Sequence, residues 1–177
     1  AYDSARVKAY GSAQVRAYGS AQVRAASALV AVTIHGDGVR CKGGTIIRVP
    51  PIESVDDWLA RYGIKPARKR VTLYKALDDN YLSNHNGFPY VPGSTPIAPD
   101  WDGGVEECGG GLHFSPTPGH ALAFNPGATR FVACPVRVAD LRCPQASDEY
   151  PSKIKARGCC APVWEVDING DAIGESK

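Results

Sequence analysis

The sequence predicts a mainly β chain: a β-solenoid with two octads, or 16 residues, per coil, followed by a small α+β globular domain. Three observations carry this. The opening residues repeat every eight positions. Apolar and polar residues alternate within each repeat. After the pair Pro50-Pro51 the repeat gives way to irregular short apolar runs separated by Gly and Pro turns. The predicted organisation is therefore solenoid coils over 1–49, a capping helix and linker over 50–66, and an α+β domain over 67–177.

The first 48 residues divide into the octads AYDSARVK, AYGSAQVR, AYGSAQVR, AASALVAV, TIHGDGVR and CKGGTIIR, with no slip of register expected between them. Ala13, Val15 and Ala17 alternate with Gln14, Arg16 and Tyr18, the period of two that makes a strand with one buried face. Gly11-Ser12 and Gly19-Ser20 supply residues suited to tight corners. So short a strand, with only Ala and Val facing inward, gains enough burial only when coils stack. Stacking would align the outward residues into ladders of Tyr2, Tyr10 and Tyr18 and of Lys8, Arg16 and Arg24, with one member per coil on each side. The ladders and the open strand edge are the surfaces expected to mediate self-association. Later octads lose the Tyr-Gly-Ser theme and gain Ile34, Ile46 and Ile47, the gradation expected where a stack ends; Cys41 is expected to face inward.

The run AYGSAQVR AYGSAQVR resembles the octapeptide arrays of bacterial ice nucleation proteins. The resemblance spans residues 1–32 and implies a two-sided solenoid with 16-residue coils. Ala13-Gln14-Val15 stands where the water-organising coils of that family carry Thr-x-Thr. The terminal Arg of each octad is instead similar to the arginine-bearing coils that the family uses for assembly. Ice organisation thus ranks third among the functions the sequence suggests, after a structural role and an enzymatic one.

Beyond the prolines, Ser54 is a suitable N-cap, Asp56 and Asp57 follow in the first turn, Val55, Trp58, Leu59 and Tyr62 share one face, and Gly63 ends the run. This pattern predicts a short amphipathic helix, and Trp58, Leu59 and Tyr62 are expected to cover the end of the solenoid. Residues 65–70 read as a basic connector.

In the C-terminal domain, 71–76, 111–114, 130–138 and 162–168 have strand character, and 118–124 is a short helix. Leu73-Tyr74-Lys75-Ala76, then Gly111-Leu112-His113-Phe114-Ser115 before a helix, then a late Glu149 or Glu165, resemble the motif order of ADP-ribosyltransferases. That resemblance implies NAD as cosubstrate and a catalytic set of Lys75, His113, Ser115 and Glu149 or Glu165. Lys75 stands where the family has His or Arg. The carboxylate would polarise a ribose hydroxyl and stabilise the charge that develops as nicotinamide leaves. Most of 71–170 also resembles a domain of phage and bacterial proteins, a likeness that names no activity.

Under the structural reading the chain needs no cofactor. Six cysteines without a Cys-x-x-Cys pair are expected to be reduced and mostly buried, and no metal site is expected among the cysteines and histidines. Lys153-Ile154-Lys155-Ala156-Arg157 reads as a solvated strand edge. No apolar run is long enough to span a membrane. A net charge of +2 does not call for nucleic acid, although residues 1–48 hold seven Lys or Arg against two Asp. The sequence begins inside a repeat and has no Met, so further repeats are expected upstream. A bacterial source is expected, with the compartment left open between cytoplasm and cell surface. The leading function is a structural repeat protein whose C-terminal domain caps the stack and self-associates; the rival is a transferase domain carried on a repeat stalk.

Overall fold

A computed structural model describes residues 1–106, 109–143 and 151–174. The chain is mainly β, with twelve strands and two short α-helices among the described residues. It divides into two compact units, Ala1–Pro51 and Ile52–Lys177.

The first unit contains β1 (Arg6–Ala9), β2 (Gln14–Ala17), β3 (Gln22–Ala25), β4 (Ala31–His35), β5 (Arg40–Lys42) and β6 (Thr45–Val49). Alternate strands pair in parallel, giving one sheet ordered β1-β3-β5 and another ordered β2-β4-β6. Ala9, Ala17, Val23, Val32 and Ile34, drawn from both sheets, meet with Ala21, Val30 and Val39 in one apolar core. Small inward side chains allow two sheets of such short strands to share that core.

The octad register departs from the sequence expectation. Arg6 pairs with Gln22, sixteen residues on, but Gln14 pairs with Ala31, seventeen on, Gln22 with Arg40, eighteen on, and Ala31 with Thr45, fourteen on. The corners absorb the differences. The two glycines Gly43 and Gly44, both at φ +80, make the turn that separates β5 from β6, whereas four residues separate β1 from β2. A Cβ on Gly43 would run into the carbonyl of Ala25. Cys41 pairs with Val23 and packs against the core from a half-buried position.

The second unit begins with α1 (Val55–Arg61). Its N-cap Ser54 accepts from the Asp57 amide through its side chain and donates to the Asp57 carboxylate. Strands β7 (Arg70–Leu77), β9 (Arg130–Arg137) and β12 (Trp164–Val166) form an antiparallel sheet ordered β12-β9-β7. A second antiparallel sheet, ordered β10-β11-β8, comprises β8 (Leu112–Phe114), β10 (Leu141–Arg142) and β11 (Ile154–Ala156). Helix α2 (Pro118–Phe124), capped by Thr117, lies between β8 and β9 in sequence and packs on β7.

Two sequence expectations are corrected by this packing. Trp58 and Leu59, expected to cover the solenoid end, are buried in the second unit's own core beside Val71, Leu73 and Leu141. Trp58 is fully enclosed and its Nε1 donates to the Pro151 carbonyl at 3.0 Å, while Tyr62 packs against Trp58 and edge-on to His120. The helix's apolar face finds its partners in this core. Residues 153–157, expected to be a solvated edge, contain the central strand of the second sheet, with Ile154, Lys155 and Ala156 all buried. Alternation could not reveal Lys155 as an inward residue because its charge is answered by Asp102, far away in sequence.

Among the described residues no helix is long and apolar enough to cross a membrane. The five described cysteines are all free thiols.

Gly43→Ala should cost about 2 kcal/mol, since it adds a side chain in left-handed backbone against a carbonyl, and should lower hydrogen-exchange protection of the 40–49 amides. Trp58→Ala should destabilise the second unit by about 3–5 kcal/mol, read from the urea midpoint by circular dichroism.

Candidate functional site

An isolated backbone bridge links the two sheets of the second unit. Tyr74 and Ser115 exchange backbone hydrogen bonds of 2.9 and 3.0 Å, and this isolated bridge holds β7 beside the end of β8. Each strand otherwise pairs within its own sheet, β7 with β9 and β8 with β11. Next to the bridge lies a cavity of about 270 Å³. Its wall includes Lys75 and Ala76 from β7, His113 and Phe114 from β8, Ser115 after it, Ala121, Phe124 and Asn125 around α2, Asn84 and His85 from the loop after β7, and Lys153 ahead of β11.

Local hydrogen bonds fix these walls. Ser83 Oγ donates to the His85 carbonyl at 2.6 Å and accepts from the Phe88 amide, closing the turn that presents Asn84 and His85. Thr117 Oγ1 accepts from the His120 amide and contacts its Nδ1 at 2.8 Å, which starts α2 directly after the Ser115 strand end. Asn125, at the helix C-cap, donates from Nδ2 to the Ala76 carbonyl at 3.4 Å.

Lys75 is the unusual member of the set. Its register partner Val132 places it on the face of β7 that also carries Leu73 and Leu77, the core face. The ammonium donates to the His113 carbonyl at 2.9 Å and stands 5.5 Å from the centre of the Tyr90 ring. Burial above all, against an upward pull from Cys134 and with a lesser downward push from Lys153, brings its pKa down to about 8. Burial also pushes the Cys134 thiol and the Tyr90 phenol well above their ordinary values, so both stay neutral near pH 7. Near neutral pH the amine is mostly charged.

The contrast with Lys155 is direct. Lys155 is fully buried where Lys75 is half-buried at the cavity wall, and its Nζ meets Asp102 Oδ1 at 3.1 Å. Amides of Gly104 and Gly110 hold the same carboxylate, and these bonds with the lysine's keep its pKa below the ordinary value. Neither of the two salt bridges among the described residues involves Lys75. A buried ammonium held by a carbonyl and a ring face still lacks the full charge compensation that a carboxylate gives.

The structure thus brings Lys75, His113 and Ser115 to one cavity and leaves Glu165 out of its lining. Glu165 pairs with Arg130 at 3.0 Å and accepts from the Tyr81 hydroxyl at 2.9 Å. Glu149 lies outside the described residues. Asn84 and Asn125 carry no site signal in the sequence, Lys153 stands in a basic stretch, and His85 is among the histidines for which no metal site is expected. In the first unit, Tyr2 stacks on Tyr18 at 4.8 Å and Tyr18 on His35 at 4.3 Å, so the aromatic row runs on through a histidine. Tyr10 is well exposed and precedes β2, in the other sheet. Lys8 and Arg24 share one sheet, while Arg16 lies in the other beside Thr33.

No family model, curated protein or solved structure matches this chain. The reading of the cavity therefore rests on its own chemistry. Among the described residues no group of three or more His, Cys, Asp or Glu is placed to hold a metal ion.

The lowered pKa has a measurable consequence. With its pKa near 8 rather than 10.5, the folded amine binds its proton more weakly than the unfolded one. Between those values the unfolded chain holds more protons, so this group makes stability rise with pH from about 8 upward. Lys75→Met should flatten that rise relative to the parent chain in urea unfolding at pH 7.5 and 9.5; equal slopes would mean the amine is solvated.

Proposed function

We propose that this chain is a two-sided β-solenoid module carrying a domain that binds a small anionic molecule in the Lys75 cavity. The observation that carries the ligand reading is the ammonium of Lys75, desolvated and set beside Lys153, His85 and His113 with no carboxylate among the cavity's described lining residues. An anion entering there would supply the missing countercharge. Asn84, Asn125 and Ser115 offer neutral hydrogen-bonding groups, and Phe114, Phe124, Ala76 and Ala121 offer apolar wall. The ligand class is a phosphate- or carboxylate-bearing molecule with a flat apolar portion.

The solenoid reading is supported by parallel pairing between alternate strands at intervals of fourteen to eighteen residues, and by the single core that the two sheets share. Such a module serves as a rigid structural element. The stacked row of Tyr2, Tyr18 and His35, with Tyr2 60 % exposed at its end, is the surface that best suits association with a second copy.

A second reading is ADP-ribosyl transfer with NAD as cosubstrate. It is favoured by the convergence of Lys75, His113 and Ser115 on one cavity. It needs a carboxylate at the ribose, a role for which Glu165 would have to leave Arg130 and Tyr81.

Titration calorimetry of the full chain with inorganic phosphate, AMP and ADP-ribose tests the first reading. Binding of at least one is expected, weakened roughly tenfold to a hundredfold in Lys75→Met, the size of a lost charge-assisted hydrogen bond. No heat with any of the three would refute it. Release of nicotinamide from NAD, lost in Glu165→Gln, would establish the second reading instead.

A further inference from the structure

Within the first unit the outward residues of one sheet differ sharply from those of the other. Register aligns Lys8, Arg24 and Lys42 in one row across β1, β3 and β5, and Arg6, Gln22 and Arg40 in a second. All six are exposed, and they border one shallow groove. The face thus carries five cations and an amide, and neither salt bridge among the described residues involves any of them. Between these positions on the strands stand Val7, half-buried, and Val23 and Cys41, which pack in the core. Across the other sheet the corresponding rows are Gln14, Ala31 and Thr45, then Arg16, Thr33 and Ile47. The charge of the repeat region is therefore gathered onto one side.

We infer that the β1-β3-β5 face binds the phosphate backbone of duplex DNA without regard to sequence. Neighbouring strands lie about 4.8 Å apart and outward residues on one strand about 7 Å apart. The face is thus a rigid grid of cations on a scale comparable to the charge spacing of a duplex, about one charge per 1.7 Å of axis. Three of the five cations are guanidinium groups, whose planar forks suit phosphate oxygens. The outward positions include no aromatic side chain on which an unpaired base could stack, which favours a duplex over a single strand. They include no apolar side chain that could enter a bilayer, which favours DNA over an anionic membrane. A second copy of the same face is excluded as the partner, because it would set like charges against each other.

Fluorescence anisotropy of the full chain with a labelled duplex of about 20 base pairs, between about 50 and 200 mM salt, tests this inference. Affinity should fall steeply with salt and vary little with sequence. Each phosphate contact contributes about 0.9 to the slope of log affinity against log salt, so Arg24→Gln should reduce the slope by about 1 and Lys8→Gln/Arg24→Gln/Lys42→Gln by nearly 3. Arg16→Gln/Arg48→Gln removes charge from β2 and β6 and should leave the slope within error. All three variants are checked by circular dichroism; the single exposed substitution at Arg24 carries the test if the triple variant does not fold. The inference is overturned by an equal loss in the Arg16/Arg48 variant, by no measurable duplex binding at the lowest salt, or by tighter binding to phosphatidylserine vesicles than to the duplex.

Discussion

Where a buried lysine finds its countercharge is the constraint around which the second unit is arranged. A desolvated ammonium costs several kcal/mol unless an anion or several good acceptors surround it. Lys155 satisfies the requirement inside the fold through Asp102, whose carboxylate is itself held by two glycine amides. The loop carrying Asp102 is thereby tied to the middle strand of the second sheet. Among the described residues Lys75 meets the His113 carbonyl and the Tyr90 ring, and the fold leaves a cavity at that place. One lysine closes the structure and the other lines a cavity.

The isolated bridge between Tyr74 and Ser115 makes that difference possible. Two three-stranded sheets joined along a full ladder would pack side chains across the seam. Joined by that isolated bridge rather than by a ladder, they leave room that α2 and the loop after β7 wall in. Glycine at 111, φ +126, lets the chain enter β8 against the Trp101 ring, where any side chain would collide. The site is thus a consequence of topology, assembled from five separate stretches of chain.

The first unit works by a different rule. Its strands are too short to be stable alone, so each depends on parallel neighbours drawn from sixteen or so residues away. Alternation then has two effects at once. It sends Ala and Val to the shared core, and it lines up whatever stands at the remaining positions into rows. Cations that alternate with the inward residues of β1, β3 and β5 become a charged face on one sheet, and Tyr2, Tyr18 and His35 become a stack. The whole-chain charge of +2 hides this, because the second part of the sequence carries the compensating acids.

The sequence by itself determined the local elements. Period-two alternation placed the strands of the repeats, Ser54 marked a helix start that the structure realises, and apolar runs located β7 and β9. These are properties of neighbouring residues, settled by capping, turn chemistry and periodicity within one turn or strand. Tertiary structure alone decided the rest. Register slipped where corners of unequal length shifted the pairing, something no octad count could reveal. Trp58 turned to the second unit's core, because an amphipathic face specifies that it will be buried and not against what. Lys155 was drawn inward by an aspartate 53 residues away. Lys75, His113 and Lys153 met at one cavity through a bridge between two sheets. Long-range pairing and charge compensation depend on which distant residue arrives at a given place, and local pattern carries no record of that.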